Sequence, residues 1–352
     1  MKDLLSILLL WPLAAAYGAV VWLRTEPYRL GWLRAHSAGI PVISIGNITA
    51  GGTGKTPMAI HVAQILMKRG VRVAVLSRGY KRKVRSGTAP LVASDGSSLK
   101  CAVAEAGDEP YLIAARLLGS PGRPGAMVIV GRDRVAGARK AVELGAQAIV
   151  LDDGFQHLRL RRDLDIVLLD SGRPLGNGWL LPAGRLRELP GALDRASALV
   201  FTRAAAAGRP SGFDRLAAGK PAFALRHVPV GLLRWRSGTA TEPAELTGRR
   251  VLLFSGIARP ESFGRSVRDL GVAYHQNLTF GDHHHYSDAD LARIAAAAAP
   301  CDALVTTEKD AARLPLTWCP GKPVYVLRIG IEFVKDAEQF EHLVVTAAGK
   351  SA

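Results

Sequence analysis

Residues 46–57 read Gly-Asn-Ile-Thr-Ala-Gly-Gly-Thr-Gly-Lys-Thr-Pro, and this stretch decides the fold. A short apolar strand, Val42–Ile45, leads into it, and a helical pattern from about Thr56 to Arg69 follows. Glycines let consecutive backbone N–H groups turn toward phosphate oxygens, and the N-terminus of the following helix adds the positive end of its dipole. The strand, loop and helix together predict a P-loop, a phosphate-binding element.

The parts of this loop have separate expected tasks. The residues expected to surround the phosphates are Gly51, Gly52, Thr53 and Gly54. Lys55 is expected to reach the β and γ phosphates of ATP, and the Thr56 hydroxyl to bind Mg²⁺. The general pattern G-x-x-x-x-G-K-[ST] asks for glycine where this chain has Thr49. The structural alternative is a glycine-rich turn at the start of an ordinary helix.

A Mg²⁺ ion at a P-loop also needs an acidic group at the end of a neighbouring strand. The apolar run Ala146–Leu151 predicts a strand, and Asp152, Asp153 and Gly154 follow it directly. An acid after a strand can equally be part of a turn. Beside a P-loop, however, this arrangement indicates a metal site.

The rest of the chain alternates short apolar runs with helical patterns, which predicts an α/β fold with a P-loop NTPase-like parallel sheet. Turn-forming residues between about 213 and 247 interrupt the rhythm. The predicted divisions are an N-terminal membrane-associated helix at 1–35, a P-loop domain at 36–225, a linker at 226–249 and a smaller C-terminal α/β domain at 250–352.

The first helix is expected to meet a membrane. Residues 4–23 carry no charge and are long enough to span a bilayer, and arginines and aromatic residues alternate after them. Either a spanning helix or a helix lying in one leaflet fits this pattern. A signal peptide would export a protein that needs ATP, and a buried core helix is the plainer alternative because Pro12 interrupts the segment.

The chain is strongly basic, with 46 Lys and Arg against 30 Asp and Glu. An anionic partner follows, which can be lipid headgroups, a phosphorylated substrate or nucleic acid. No recognition motif for nucleic acid accompanies the charge, so nucleic acid is not expected. The cysteines Cys101, Cys301 and Cys319 are far apart and form no CxxC pair, which favours a reducing cytoplasm.

Several further motifs occur in a fixed order. They are Leu76–Tyr80 (LSRGY), Gly107–Pro110 (GDEP), Leu151–His157 (LDDGFQH), Leu181–Glu188 (LPAGRLRE), Phe254–Ala258 (FSGIA), Asp282–His284 (DHH) and Thr306–Asp310 (TTEKD). With the P-loop, this set resembles the tetraacyldisaccharide 4′-kinase family, the lipid A 4′-kinases. The resemblance extends from the N-terminal helix to about Leu314.

The resemblance implies an ATP-dependent kinase at the cytoplasmic face of the inner membrane. Its acceptor would be the 4′-hydroxyl of an acylated glucosamine disaccharide 1-phosphate, and anionic inner-membrane lipids would be its surroundings. Asp108 with His283 would activate the sugar hydroxyl, with His284 and His285 as alternatives to His283. Arg187 would stabilise charge, and Lys55 would hold the phosphates.

The acids expected around the metal are Asp152 and Glu188, with Asp153 as a less certain neighbour. The basic stretches at 78–85 and 159–162 would meet the acceptor's own phosphate. Zinc is not expected at His283–His285, because histidines adjacent in sequence rarely face one ion. The rival function is a membrane-tethered P-loop ATPase switch that acts on a protein partner.

Overall fold

A computed structural model of the chain describes residues 2–79, 89–120, 122–204, 213–282 and 284–349. In chain order its helices and strands are α1 Lys2–Arg29, β1 Val42–Asn47, α2 Lys55–Lys68, β2 Val73–Ser77, β3 Leu91–Asp95, α3 Val103–Ala106, α4 Asp108–Arg116, β4 Met127–Val130, α5 Arg134–Glu143, β5 Ala148–Asp152, β6 Leu164–Asp170, β7 Ala198–Thr202, α6 Phe213–Ala217, β8 Ala222–Arg234, β9 Ala240–Thr241, β10 Val251–Ser255, α7 Pro260–Asp269, β11 Gln276–Thr279, α8 Asp288–Ala298, β12 Ala303–Thr307, α9 Glu308–Ala311, β13 Val324–Phe333 and α10 Ala337–Ala347.

The chain forms two compact units, and the division differs from the predicted one. Unit 1 is Met1–Arg226 with Ile331–Ala352, and unit 2 is His227–Gly330. The predicted linker at 226–249 contains most of β8 and all of β9. Turn-forming residues inside β8, such as Pro229 and Gly231, misled the sequence argument, because strand pairing overrides local turn preference.

The sheet of unit 1 is mixed and not purely parallel. Its strand order is β8-β7-β6-β1-β5-β2-β4-β3, and β3 alone on this path runs antiparallel to its neighbour, β4. The central strand β1 pairs in parallel with both β5 and β6. Because parallel strands end at the same edge, the residues that follow β1, β5 and β2 meet there.

Helices cover both faces of this sheet. The buried face of α2, which includes Met58, Val62 and Leu66, packs on one side together with Phe340 and Val344 of α10. On the other side Val135 and Ala138 of α5 pack against the sheet. Near-continuous buried apolar runs such as β1 and β5 are what a strand covered on both faces requires.

Unit 2 is a smaller parallel arrangement. In it β10 lies between β11 and β12, and β12 pairs with β13. Ser287 caps the N-terminus of α8 in a capping box: its side chain accepts from the Asp290 backbone N–H, and the Asp290 side chain accepts from the Ser287 backbone N–H.

The N-terminal helix that the sequence predicts is present. α1 runs from Lys2 to Arg29 and contains Pro12 and Pro27. In the described part of the chain, no helix is long and apolar enough to cross a membrane. The charged residues Arg24, Glu26 and Arg29 follow the uncharged part of α1, in its last turns.

β1 packs closely against the turn after β5, and a first prediction follows from this contact. A Cβ atom on Gly46 would lie 2.4 Å from the Cβ of Phe155, whereas one on Gly52 would meet nothing within 4 Å. We expect Gly46→Ala to lower the free energy of unfolding by about 1–3 kcal/mol, because one of two packed backbones must move. Urea denaturation measures the change. Gly52→Ala is the control, and an equal loss in both variants would contradict the packing argument.

Candidate active site

The carboxyl edge of the unit 1 sheet collects most of the residues that the sequence singled out. β1 ends at Asn47 and leads into the glycine-rich loop, and β5 ends at Asp152. The loop closes with Gly54 in a left-handed conformation (φ 87°) before α2 begins at Lys55. The helix N-terminus therefore faces the edge where the strands end, as a phosphate site requires.

Asn47 holds the loop in shape from inside. Its amide Nδ2 donates to the carbonyl of Thr49 (2.6 Å) and to the hydroxyl of Thr53 (2.9 Å). Its Oδ1 accepts from Lys55 Nζ at 3.4 Å. Gly51 has φ 115°, a value that side chains disfavour. Since Thr49 contributes its carbonyl here, the loop closes without glycine at position 49.

A second segment fastens the same loop from outside. The Ala50 N–H donates to the carbonyl of Arg185 (2.6 Å), and the Arg187 N–H donates to the carbonyl of Ile48 (2.7 Å). The guanidinium of Arg203 also donates to the carbonyl of Gly52. The loop is thus held by backbone from residues 185–187, which places Arg187 and Glu188 beside the nucleotide site.

Asp153 lies between two cations. Its carboxylate accepts from Arg187 at 2.9 and 3.0 Å, and its Oδ1 lies 3.6 Å from Lys55 Nζ. Burial raises the pKa of Asp153, but Lys55 and Arg187 outweigh this effect and hold the pKa below its ordinary value. Asp153 adopts φ 55°, a left-handed backbone that is uncommon outside glycine and that turns its side chain toward both cations.

Asp152, the preceding residue, has a raised pKa, whereas that of Asp153 is lowered. It is 3% exposed, and its Oδ2 accepts from the Ser77 hydroxyl at 3.0 Å. Burial, with the negative charges of Glu109 and Asp153, raises the pKa of Asp152 to about 7. Its Oδ1 is buried without a hydrogen-bond partner in the described ranges. An unpaired buried carboxylate oxygen is suited to a cation, so the residue fits the predicted metal role.

Glu188, the other acid expected at the metal, accepts hydrogen bonds from two side chains. Its Oε1 accepts from Gln156 Nε2 (3.0 Å), and its Oε2 accepts from Arg195 (2.8 Å). The same Gln156 nitrogen donates to the carbonyl of Asn47 at 2.8 Å. Gln156 and Arg195 therefore converge on Glu188 from separate parts of the chain, and the metal role of Glu188 stays a prediction.

The sequence argument overlooked Arg134, a buried cation behind the acidic strand end. It is 4% exposed, and it donates to the carbonyls of Gly131 and Asp152, the latter at 3.3 Å. Burial lowers the pKa of Arg134 to about 10, and Asp152 and Asp153 oppose the shift. A signal was available in Gly131–Arg134, where two arginines follow a buried strand end.

Asp108, the predicted base, is the first residue of α4 and is half-buried. Gly107 precedes it with φ 89°, and Pro110 is the third residue of the helix. Of the basic stretches expected to meet the acceptor's phosphate, residues 80–85 lie outside the described residues. In the other stretch Arg162 is bound to Asp165 at 3.0 Å.

The histidine run is in unit 2, and His283 lies outside the described residues. His284 is held in place: its Nε2 lies 2.9 Å from Asp290 Oδ2, and its ring stacks on Phe280 with centroids 4.9 Å apart. The contacts with Asp290 and Phe280 orient the His284 ring, and His283, His284 and His285 all stay candidates for the base. Within the described ranges, no group of three His, Cys, Asp or Glu side chains is arranged to hold a metal ion.

The TTEKD motif contributes a buried acid to unit 2 that the sequence argument gave no role. Asp310 is fully buried; its carboxylate accepts from the Gly256 N–H (3.0 Å) and from the Thr307 hydroxyl (2.6 Å). Arg313 lies 3.3 Å from it. Burial raises the pKa of Asp310. Asp310 therefore fastens the FSGIA turn to α9.

Taken together, the loop, the cation at the start of α2 and the two acids after β5 define a P-loop nucleotide-binding protein. The chain belongs to the tetraacyldisaccharide-1-P 4′-kinase family, which matches residues 6–348. The chain is an ATP-dependent kinase of this family, and the prediction from its motifs is confirmed.

Curated relatives agree over nearly their whole length. The chain is 44% identical over 317 residues to the tetraacyldisaccharide 4′-kinase of Geobacter metallireducens, covering 89% of this chain and 90% of the relative. It is 43% identical to that of Anaeromyxobacter dehalogenans, covering 94% and 90%. The solved structure of LpxK from Aquifex aeolicus in complex with ATP aligns with a TM-score of 0.78 and 31% identity, over 97% of this chain and 99% of that one.

The raised pKa of Asp152 predicts a pH-dependent stability in metal-free protein. The folded carboxyl stays protonated up to about pH 7, whereas the unfolded one ionises near its ordinary value of 3.8. The folded state therefore binds more protons between these values, and its stability falls as pH rises through this window. We expect Asp152→Asn to raise the free energy of unfolding more at pH 8 than at pH 5, by on the order of 1–4 kcal/mol.

Urea denaturation in the presence of a chelator at the two pH values measures this difference. Asp269→Asn, which removes an exposed carboxylate from α7, is the control. A stability gain for Asp152→Asn that is the same at pH 5 and pH 8 would show that the carboxyl ionises normally in the folded state.

Proposed function

We propose that this chain transfers the γ-phosphoryl group of ATP to the 4′-hydroxyl of a tetraacylated glucosamine disaccharide 1-phosphate. The observation that carries the proposal is the pairing of Lys55 with Asp153 at the P-loop, with Arg187 on the same carboxylate. This arrangement occurs in a chain whose family and relatives carry that acceptor in their names. An ATPase switch has no such support.

On the nucleotide side, the residues around the phosphates are Gly51, Gly52, Thr53, Gly54, Lys55 and Thr56. Lys55 would leave Asp153 for the β and γ phosphates, since a phosphate carries more charge than a carboxylate. Arg187 remains on Asp153 or follows the charge that develops on the transferred group. Either way the loop is already shaped by Asn47, so little reorganisation is required on binding.

Magnesium fits the donor set beside the loop. Thr56 and Asp152 would hold it, with Asp153 adjacent, because hydroxyl and carboxylate oxygens are its preferred ligands. When bound with ATP, Mg²⁺ supplies charge neutralisation at the β and γ phosphates. Glu188 is the further predicted acid, and in this structure its oxygens accept from Gln156 and Arg195.

On the acceptor side, Asp108 with His283 is the proposed base. The 4′-hydroxyl oxygen attacks the γ-phosphorus, the bond to the β–γ bridging oxygen breaks, and ADP leaves. The hydroxyl proton passes to Asp108. Asp108 lies at the N-terminus of α4, where a negative charge is favoured by the helix dipole, so the carboxylate form that can accept a proton is stabilised.

Replacing the proposed base separates chemistry from nucleotide binding. We expect Asp108→Asn to lower turnover by about 10²-fold or more, because the amide cannot accept the proton, while ATP affinity stays within about threefold. Transfer of label from γ-labelled ATP to the disaccharide 1-phosphate measures turnover, and a fluorescent ATP analogue measures binding.

Glu143→Gln is the matched control, since that carboxylate is exposed and pairs with the neighbouring Lys140. Near-normal turnover of Asp108→Asn would refute the assignment of the base. Label that appears only as free phosphate with wild-type protein would instead favour the ATPase switch.

We further propose that α1 lies along one leaflet of the membrane without crossing it. Leu9, Leu13 and Leu23 are 79%, 59% and 63% exposed, and their spacing places them on one face of the helix. Arg24 and Arg34 lie near its end, where headgroup phosphates would be. Apolar side chains on one helical face with nearby arginines are typical of an interfacial helix.

A charge on this face should release the protein from vesicles. We expect Leu9→Asp with Leu23→Asp to reduce co-sedimentation with vesicles containing phosphatidylglycerol by about tenfold or more, because two leucines that would be buried in the membrane are lost. The control is Val142→Asp with Leu144→Asp, which alters two exposed apolar residues elsewhere in unit 1. Equal retention of both double variants would contradict the interfacial role of α1.

A further inference from the structure

Beneath α1, unit 1 contains a cavity of about 680 Å³. Gly18, Val21 and Trp22 form its helical wall, and Leu160, Leu180 and Ala192 lie among the residues on the other walls. Helical geometry places Val21 and Trp22 on the side of α1 opposite the exposed Leu9, Leu13 and Leu23. The cavity is therefore on the protein side of the helix.

The cavity leads from an exposed apolar rim to a buried floor. At the rim Trp22 and Leu189 are 58% and 60% exposed, although both are large apolar residues. On the inside Leu160 is fully buried and Glu188 is 2% exposed. Its volume is within the range of small-molecule pockets, and apolar side chains form most of its wall.

Charge is distributed unequally along this cavity. The inner charges are paired, Arg162 with Asp165 at 3.0 Å and Arg195 with Glu188 at 2.8 Å. At the outer end Arg29 is exposed and bound to Glu26, which also lines the cavity, and Arg161 lines it as an exposed side chain. A guest with an apolar body inside and an anionic group outside would match both parts.

We propose that this cavity binds one alkyl chain of a bilayer phospholipid, with the lipid phosphate at the exposed arginines, and that the bound chain stabilises the nucleotide loop. α1 would lie in the membrane interface, so the apolar rim at Trp22 and Leu189 is where a chain of the bilayer would enter. Lys55, Asp153 and Asp108 are not among the residues that line the cavity, and its occupancy requires no phosphoryl transfer.

The link to the nucleotide loop is a short series of hydrogen bonds. Glu188 on the cavity floor accepts from Gln156, and Gln156 donates to the carbonyl of Asn47. α1 itself touches the same segment, since the Tyr17 hydroxyl donates to the carbonyl of Arg187 at 3.1 Å. A chain that fills the cavity would restrain both contacts, and coupling of two sites is reciprocal.

Neighbouring valines allow a matched test in the full-length protein. Val21 lines the cavity, whereas Val20 is 63% exposed and does not. We use Val21→Trp to fill the cavity and Val20→Trp as control. The probe is 11-(dansylamino)undecanoic acid, a soluble single-chain fluorophore whose emission rises on apolar burial, and dodecylphosphocholine is the competitor.

The expected result is saturable binding of one probe per chain, displaced by dodecylphosphocholine. Its affinity falls at least tenfold in Val21→Trp and stays within twofold in Val20→Trp. Dodecylphosphocholine should also tighten binding of a fluorescent ATP analogue several-fold in wild-type protein and not in Val21→Trp. Ala192→Leu, which fills the cavity from another wall, should reproduce the loss if Val21→Trp does not fold.

Three results would overturn the proposal. If both valine variants alter probe binding equally, the probe binds the outer face of α1 and not the cavity. If the disaccharide acceptor displaces the probe but dodecylphosphocholine does not, the cavity belongs to the acceptor. If nucleotide affinity does not respond to a bound chain, the two sites are not coupled. None of these readouts involves phosphoryl transfer, so loss of kinase activity is distinguished from loss of the lipid site.

Discussion

The contact between Asp153 and the cations Lys55 and Arg187 is the constraint around which the site is organised. Asp152 and Asp153 are adjacent in sequence, yet their environments separate them. Asp153 faces both cations and keeps its charge, whereas Asp152 faces Ser77 in a buried position where the charged form is disfavoured. The two side chains have different partners, Ser77 for Asp152 and Arg187 with Lys55 for Asp153, which makes this division. One acid is thereby committed to an ion pair, and the other remains suited to a cation.

The glycine-rich loop depends on the same neighbourhood for its shape. Asn47 fills the loop from within, residues 185–187 bind it through backbone hydrogen bonds, and Gln156 connects it to Glu188. These contacts are made before any nucleotide arrives, which reduces the ordering that binding must pay for. They also connect α1 to the loop, since Tyr17 contacts Arg187. The N-terminal helix α1 and the phosphate site thus share one supporting segment.

Much of this could be predicted from the sequence because the relevant signals are local. The apolar runs predicted the strand that leads into the P-loop, observed as Val42–Asn47, and the strand before the acids, observed as Ala148–Asp152, and the loop was placed from its glycines. Contacts between distant segments could not be predicted in this way. Glu188 was assigned to the metal because an acid near a P-loop suggests that role, but Gln156 and Arg195 reach it only in the folded chain. The return of α10 to unit 1 and the strand at 222–234 likewise depend on tertiary pairing that local periodicity does not encode.

The central claim is that Asp152 faces the metal, while Asp153 is held by Lys55 and Arg187 and Glu188 is held by Gln156 and Arg195. Crystallography with Mn²⁺ in place of Mg²⁺ tests this claim most directly. Crystals of the protein with Mn²⁺ and a non-hydrolysable ATP analogue would show the ion by its anomalous scattering. The account predicts a peak bound to Thr56 and to Asp152, directly or through one water, with Asp153 still in contact with Arg187. A peak bound to Glu188, with Asp152 still buried against Ser77, would contradict it.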